Sequence, residues 1–190
     1  MTSIALDAGM AVVNLDRAIG WATTSAGPER AANGRPADDR AFIPDMVDVD
    51  FMDAPELQVI ADGLIGAEAA LTHLLNCRIA WLWKRKAGGG GRTAFGKPQM
   101  ATGMLAHFAR ADVVLWLGAD ACQAERLTNR QLEAAVYHEL LKIAFDEEKE
   151  KYELQRPDFA GFAAEIERYG AWRDGLVQAQ AAFRQGALFG

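Results

Sequence analysis

Apolar residues recur at helical spacing in several stretches of this chain and alternate or crowd together in others, and that contrast divides it into elements. Leu57, Ile60, Ala61, Leu64, Ile65, Leu71, Leu74 and Leu75 share one helical face. The start of that helix is predicted at Asp53, as N-cap of a capping box with Glu56, with Pro55 tolerated in the first turn. Residues 78–84 (RIAWLWK) are aromatic and branched and predict a strand. The four glycines at 88–91 suit a mobile hairpin turn, with 92–98 returning as a second strand. A short helix over 100–109, a strand over 111–117 ended by Gly118, and a connection over 119–127 follow.

Thr128 with Gln131 forms a second capping box, ahead of a helix whose apolar side is Leu132, Ala135, Val136, Leu140 and Ile143. The charged cluster 146–151 is expected to end that helix or extend it as a solvated tail. Pro157-Asp158 opens another helix, with Phe159, Phe162, Ala163, Ile166 and Tyr169 at helical spacing and Gly170 as its stop. Residues 172–183 make a final amphipathic segment. Toward the N-terminus the pattern weakens. Residues 4–21 are apolar enough to be ordered, but their period does not separate helix from strand, and 23–40 reads as a loop or linker.

Composition narrows the class. A length of 190 residues with 51% hydrophobic and 24% charged residues suits one soluble domain carrying an irregular arm. No apolar run reaches the roughly 20 residues of a membrane span, and no secretory leader pattern opens the chain. Cys77 and Cys122 form neither a disulfide framework nor a CxxC pair; small buried residues in a reducing cytoplasm are expected. Of the net charge of −6, the first 55 residues carry nine acids and four arginines, which is −5. An acidic N-terminal third disfavours general nucleic-acid binding and suits a basic partner surface. Within it Asp45, Asp48, Asp50, Phe51, Asp53 and Glu56 are candidate partner-binding residues, with Met46, Val49 and Met52 as apolar anchors among the charges. Equally, these acids can simply solubilise the entry to a helix.

The opposite charge gathers at 78–97, where Lys84, Arg85, Lys86 and Arg92 are interleaved with Trp81, Trp83 and Phe95. Such interleaving can bind single-stranded nucleic acid. A sheet edge kept soluble by lysine and arginine explains it more simply. His73, beside the first helix's apolar face, reads as a hydrogen-bonded residue at the edge of the core rather than a ligand.

His138-Glu139-Leu140-Leu141-Lys142 has the shape of HExxH with its last member changed. That motif works because residues i and i+4 share a helix face, so two imidazoles clamp one zinc while the glutamate takes a proton from bound water. From about residue 56 to 172 the chain resembles the phage metallopeptidases, zincin-like proteins of phage and prophage genomes. The resemblance runs in order through ELQVIADGLI, RIAWLW, FGKPQM, ADVVLWLGADA, TNRQLEAAVYHEL and PDFAGFAAEIERYGAW. It implies an α+β, zincin-like fold: a small mixed sheet packed on helices, including the one bearing His138, with the strand at 113–117 bordering the substrate cleft. The domain is expected over 53–190, preceded by an irregular acidic arm over 1–52.

The departures from the family decide the expected function. Where the family has its second zinc histidine this chain has Lys142, and where the third stands it has Pro157, followed by Asp158. Of three ligands only His138 remains, with Glu139 in the general-base position. A structural zinc site gains roughly 10–16 kcal/mol on binding, and losing two ligands removes most of it. A lysine ammonium about 4 Å from a divalent ion repels it by roughly 8 kcal/mol at an effective dielectric of about 20. Lys142, three residues after Glu139, is placed to form an ion pair with it. Asp146, Glu147, Glu148, Cys122, His73 and His107 are the substitute donors within the chain, and none lies at i+4 from His138.

The expectation is therefore a metal-free, cofactor-free relic of a metallopeptidase site, in a phage or prophage protein acting in the bacterial cytoplasm through a protein partner. Inhibition of a host defence complex, as by an anti-CRISPR protein, is one form this takes. The alternatives are a divergent zinc peptidase using substitute ligands, and a nucleic-acid binder using 78–97.

Overall fold

The computed structural model describes residues 39–88, 95–157 and 161–186. Expectations for 4–21, for nearly all of the 23–40 linker, and for Gly89, Gly90, Gly91, Arg92, Asp158 and Phe159 lie outside these residues.

Four strands form one mixed sheet: β1 (Phe51–Asp53), β2 (Ile79–Lys84), β3 (Gly96–Met100) and β4 (Val113–Gly118), in the order β1-β2-β4-β3. β2 and β4 run parallel from Ile79↔Val113 to Lys84↔Gly118, and β1 and β3 flank them antiparallel. The hairpin expected between β2 and β3 does not form, because β4 lies between them. The reason is apolar content: Val113, Leu115 and Leu117 are wholly buried, and an interior position protects both edges of that strand. The basic residues of 78–97 accordingly do not make one continuous ribbon.

One face of the sheet presents Trp81 and Trp83 to helices α1 (Pro55–Ala67) and, further on in the chain, Asn129–Leu140. α1 buries Leu57, Ile60, Ala61 and Leu64, as its periodicity predicts. Its start differs from the expected capping box. Asp53 is held extended opposite Leu82, Ala54 is the N-cap with no side-chain cap bond, and Glu56 accepts a hydrogen bond from Trp83 Nε1 instead. Sheet pairing has claimed the residue that capping would have used. After Ala67 the chain tightens into a 3-10 helix at Ala69–Leu74, which leaves Leu75 exposed and off the predicted face. Helices α2 (Met104–Ala109) and α3 (Ala119–Ala124) are short connectors on either side of β4.

Helix α4 (Asn129–Leu140) carries the HExxH-like segment. Its predicted capping box is present: Thr128 Oγ1 accepts from Gln131 N at 3.2 Å, and Gln131 Oε1 accepts from Thr128 N at 3.0 Å. The helix stops at Leu140, so Ile143 is not on its apolar side. The charged cluster expected to end or extend it is instead the turn of a hairpin, β5 (Ile143–Asp146) with β6 (Lys151–Leu154). Alternation over Ile143-Ala144-Phe145, with Phe145 against Tyr152 across the pair, favours strand there, and Asp146 Oδ1 accepts from Lys149 N at the turn.

The chain closes with α5 (Ala163–Tyr169), shorter than predicted and ended by Gly170 at φ 68, where a left-handed conformation favours glycine. A 3-10 turn at Asp174–Leu176 leads to α6 (Val177–Gly186). At the other end, residues 39–53 lie along the domain. Ala41 N donates to Leu127 O at 2.9 Å, Gln123 Nε2 donates to Pro44 O at 3.0 Å, and Met46 enters the core.

Candidate functional site

The last turn of α4 buries His138 and Glu139, 6% and 1% exposed, beneath β3. The approach is close enough that glycine is required at 96. A Cβ there would stand 2.6 Å from Trp116 O and 3.1 Å from Glu139 Cγ. β3, not β4, is therefore the strand that lies over the helix, which corrects the expectation that 113–117 borders the cleft; β4 is interior.

His138 is held from the C-terminal side of the domain. Its Nδ1 lies 2.7 Å from Glu165 Oε2, and Phe162 N donates to the same oxygen at 3.2 Å. Trp172 Nε1 donates to Glu165 Oε1 at 2.6 Å. A carboxylate can only accept, so Nδ1 carries a proton. Burial raises the Glu165 carboxyl pKa, but the hydrogen bond and charge of His138, the Trp172 N–H and the Arg173 guanidinium outweigh it and hold the group below the ordinary carboxylate range. Arg173 Nη2 stands 3.4 Å from His138 Nε2 and 3.5 Å from Nδ1, so a guanidinium lies against the imidazole.

Glu139 is engaged by the neighbour expected from sequence. Lys142 Nζ lies 2.6 Å from Glu139 Oε1, with side-chain exposures of 19% and 2%. The other carboxylate oxygen, Oε2, is buried and has no hydrogen-bond partner. Lys142 has left the helix, and its carbonyl accepts from Gln155 N at 2.8 Å, tying the turn to the hairpin's end.

These residues do not fit a zinc ion. A metal-binding histidine commonly gives its second N–H to a carboxylate, and the His138–Glu165 contact keeps that arrangement. The imidazole, however, has the Arg173 guanidinium against it, and Glu139 faces an ammonium. Among the described residues, no three histidine, cysteine, aspartate or glutamate side chains stand together as a metal site. The substitute donors named from sequence are dispersed. His73 bonds Ile143 O at 2.8 Å, His107 meets Phe108 edge-on in α2, Asp146 pairs with Lys149, and Cys122 is buried in α3 with its thiol pKa pushed up to about 12 by burial. Glu165, Trp172 and Arg173 were not legible as site residues from local pattern. Their only sequence signal is that they sit in or beside the last of the family-like segments.

Asp45, Asp48, Asp50, Phe51 and Asp53 are all exposed, whereas Glu56 is half-buried against Trp83. The acidic segment also meets the basic one. Arg85 Nη2 lies 2.7 Å from Asp50 Oδ1, and Lys84 Nζ sits 4.3 Å from the Trp116 ring and 6.0 Å from that of Phe51. Two of the basic residues considered for nucleic acid thus have partners within the domain, Lys86 lies beyond the end of β2, and Arg92 is outside the described residues.

A buried His-Glu pair at the end of a helix under a small mixed sheet is the framework of a zincin-like α+β protein. The family model described as "Putative phage metallopeptidase" matches residues 49–181, well over half of the chain, and the chain belongs to that family. No curated protein and no solved structure matches it. No helix among the described residues is long and apolar enough to cross a membrane.

Proposed function

We propose that this chain is a member of the phage metallopeptidase family that has given up zinc and acts through contact with another protein. The observation that carries the reading is the pair of internal cations, Arg173 on His138 and Lys142 on Glu139. Each brings positive charge against one member of the family-like His-Glu pair. Buried carboxylates and a buried imidazole left without zinc would be costly, and the two cations supply the missing positive charge. A scaffold that folds without its metal is free to act by its surface. The surface proposed for this is the exposed acidic segment 45–53, facing a basic protein partner in the cytoplasm of a bacterial host. Inhibition of a host defence complex is one role that fits a phage origin together with an acidic face able to compete for a basic groove.

The test is elemental analysis after zinc exposure and desalting. Wild type is compared with a Lys142→His, Pro157→His variant and the same variant carrying Arg173→Ala. The expected result is wild type without stoichiometric metal and zinc uptake that rises through the series. About one zinc per wild-type chain would overturn the reading and send the chain to peptidase assays.

A further inference from the structure

β1 is an outer strand of the four-stranded sheet, at the edge opposite to the one over α4. Its register with β2 determines which backbone groups are spent. Arg85 N donates to Asp50 O at 2.9 Å and Ala54 N donates to Trp81 O at 3.0 Å, so residues 50, 52 and 54 form the hydrogen-bonded pairs. In an antiparallel ladder the residues between them turn their N–H and C=O away from the partner. Phe51 and Asp53 therefore present their backbone donors and acceptors outward, along an edge that no other strand among the described residues pairs with.

Side chains on this edge are arranged for reading rather than for protection. Proteins usually blunt a free edge with lysine, proline or a covering element. Residues 45–53 contain no lysine, arginine or proline, and apart from the buried Met46 their apolar members are open: Val47 is 67% exposed, Val49 44%, Phe51 52% and Met52 38%. Between them stand Asp45, Asp48, Asp50 and Asp53, of which Asp50 is tied to Arg85. Two copies of such an edge would set aspartates against aspartates, which disfavours self-pairing. A strand carrying lysine or arginine at alternate positions would meet opposite charge and complete the ladder.

We propose that β1 is a strand-addition site for a basic, extended segment of a partner protein. Main-chain hydrogen bonds to Phe51 and Asp53 would supply the pairing, and Asp45, Asp48 and Asp53 the selection. The proposal rests on the protein-contact reading above and names how that contact is made.

The test is amide hydrogen exchange on the full chain, alone and with a synthetic peptide alternating lysine and valine. A glutamate-valine peptide serves as the control. Expected is slowed exchange at Phe51 and Asp53 with the lysine peptide only, weakened by about tenfold or more in affinity when salt rises from about 50 to about 500 mM. Phe51→Pro removes the outward N–H without touching the pairing to β2, so it should abolish binding at an unchanged unfolding midpoint. Protection already present in dilute free protein would mean that another segment of the chain occupies the edge. Protection that grows with protein concentration would mean a second copy does. Either result, or peptide binding that leaves both amides unchanged, overturns the proposal. Zinc uptake by wild type would sink the previous reading while leaving this exchange result as it stands.

Discussion

The end of α4 and the edge at β1 hold acids in opposite ways. Around α4, Glu139 and Glu165 are almost wholly buried, and both are answered from within: Lys142 for one, and His138, Trp172 and Arg173 for the other. Along 45–53 the acids are exposed, and the ion pair found there, Asp50 with Arg85, involves side chains 76% and 41% exposed. A buried charge must be neutralised by the fold itself, or the fold does not form. An exposed one is hydrated and remains available to a partner. The region around the His-Glu pair thus answers its charges internally, while the open charge lies at the opposite edge of the sheet. Substitutions in the first region should register in stability, and substitutions in the second in binding.

Glu165 offers the largest effect. Glu165→Ala would strand the Phe162 and Trp172 donors and take from His138 the carboxylate it bonds, at a cost of roughly 3–5 kcal/mol. Urea unfolding followed by Trp fluorescence measures this, and a loss under about 1 kcal/mol would show that the network is not what closes the site. Acid should act through the same group. Its folded pKa lies below the ordinary 4.5, so its contribution is complete above that value and is lost as pH falls through the folded pKa. Glu165→Gln should remove that acid-side slope from the stability profile between about pH 5 and 3, whatever it does to stability at neutral pH.

How far this contrast could be read in advance differs between the two regions. Local pattern found α1, β2, β4 and the cap of α4, because each is a short-range property: periodicity, branched residues, a Thr-x-x-Gln box. It also placed Lys142 beside Glu139: the helix ends at Leu140, but the turn that follows keeps i and i+3 together, with Lys142 N donating to Glu139 O at 3.3 Å. It did not find Arg173 at His138, a contact across 35 positions that depends on how α5 and the following turn pack back on α4. The same limit hid the sheet order. Nothing local shows that β4 inserts between β2 and β3, or that Asp53 is drawn into pairing with Leu82 and so lost to α1 as a cap. The exposed acids, by contrast, were visible as composition, and only the register of β1 adds that the backbone groups of Phe51 and Asp53 face outward beside them.

Lys142 gives the intermediate effect. Lys142→Met leaves the Glu139 carboxylate buried without its cation, but Lys142 keeps 19% exposure and water screens part of the loss, so about 2 kcal/mol is expected. The pair, rather than either residue, is the point. Glu139→Gln combined with Lys142→Met should recover most of that loss, giving a coupling energy of about 1–2 kcal/mol in a double-mutant cycle. A coupling near zero would break the comparison from its buried side, since the cation would then not be compensating the carboxylate.

The smallest effect is expected where the charge is greatest. Asp45→Asn, Asp48→Asn and Asp53→Asn together remove three exposed acids and leave the Asp50–Arg85 pair in place. Surface substitutions of this kind change stability by no more than about 0.5 kcal/mol, and the sign here should favour the variant, because like charges close together on one segment repel. Denaturant unfolding beside wild type decides it. A loss of about 2 kcal/mol or more would mean that these aspartates hold residues 39–53 against the domain, and that the acidic segment is part of the fold rather than an offered surface. An unchanged or slightly raised midpoint leaves binding as the property that distinguishes the segment from the buried site, where the same charge is spent on stability.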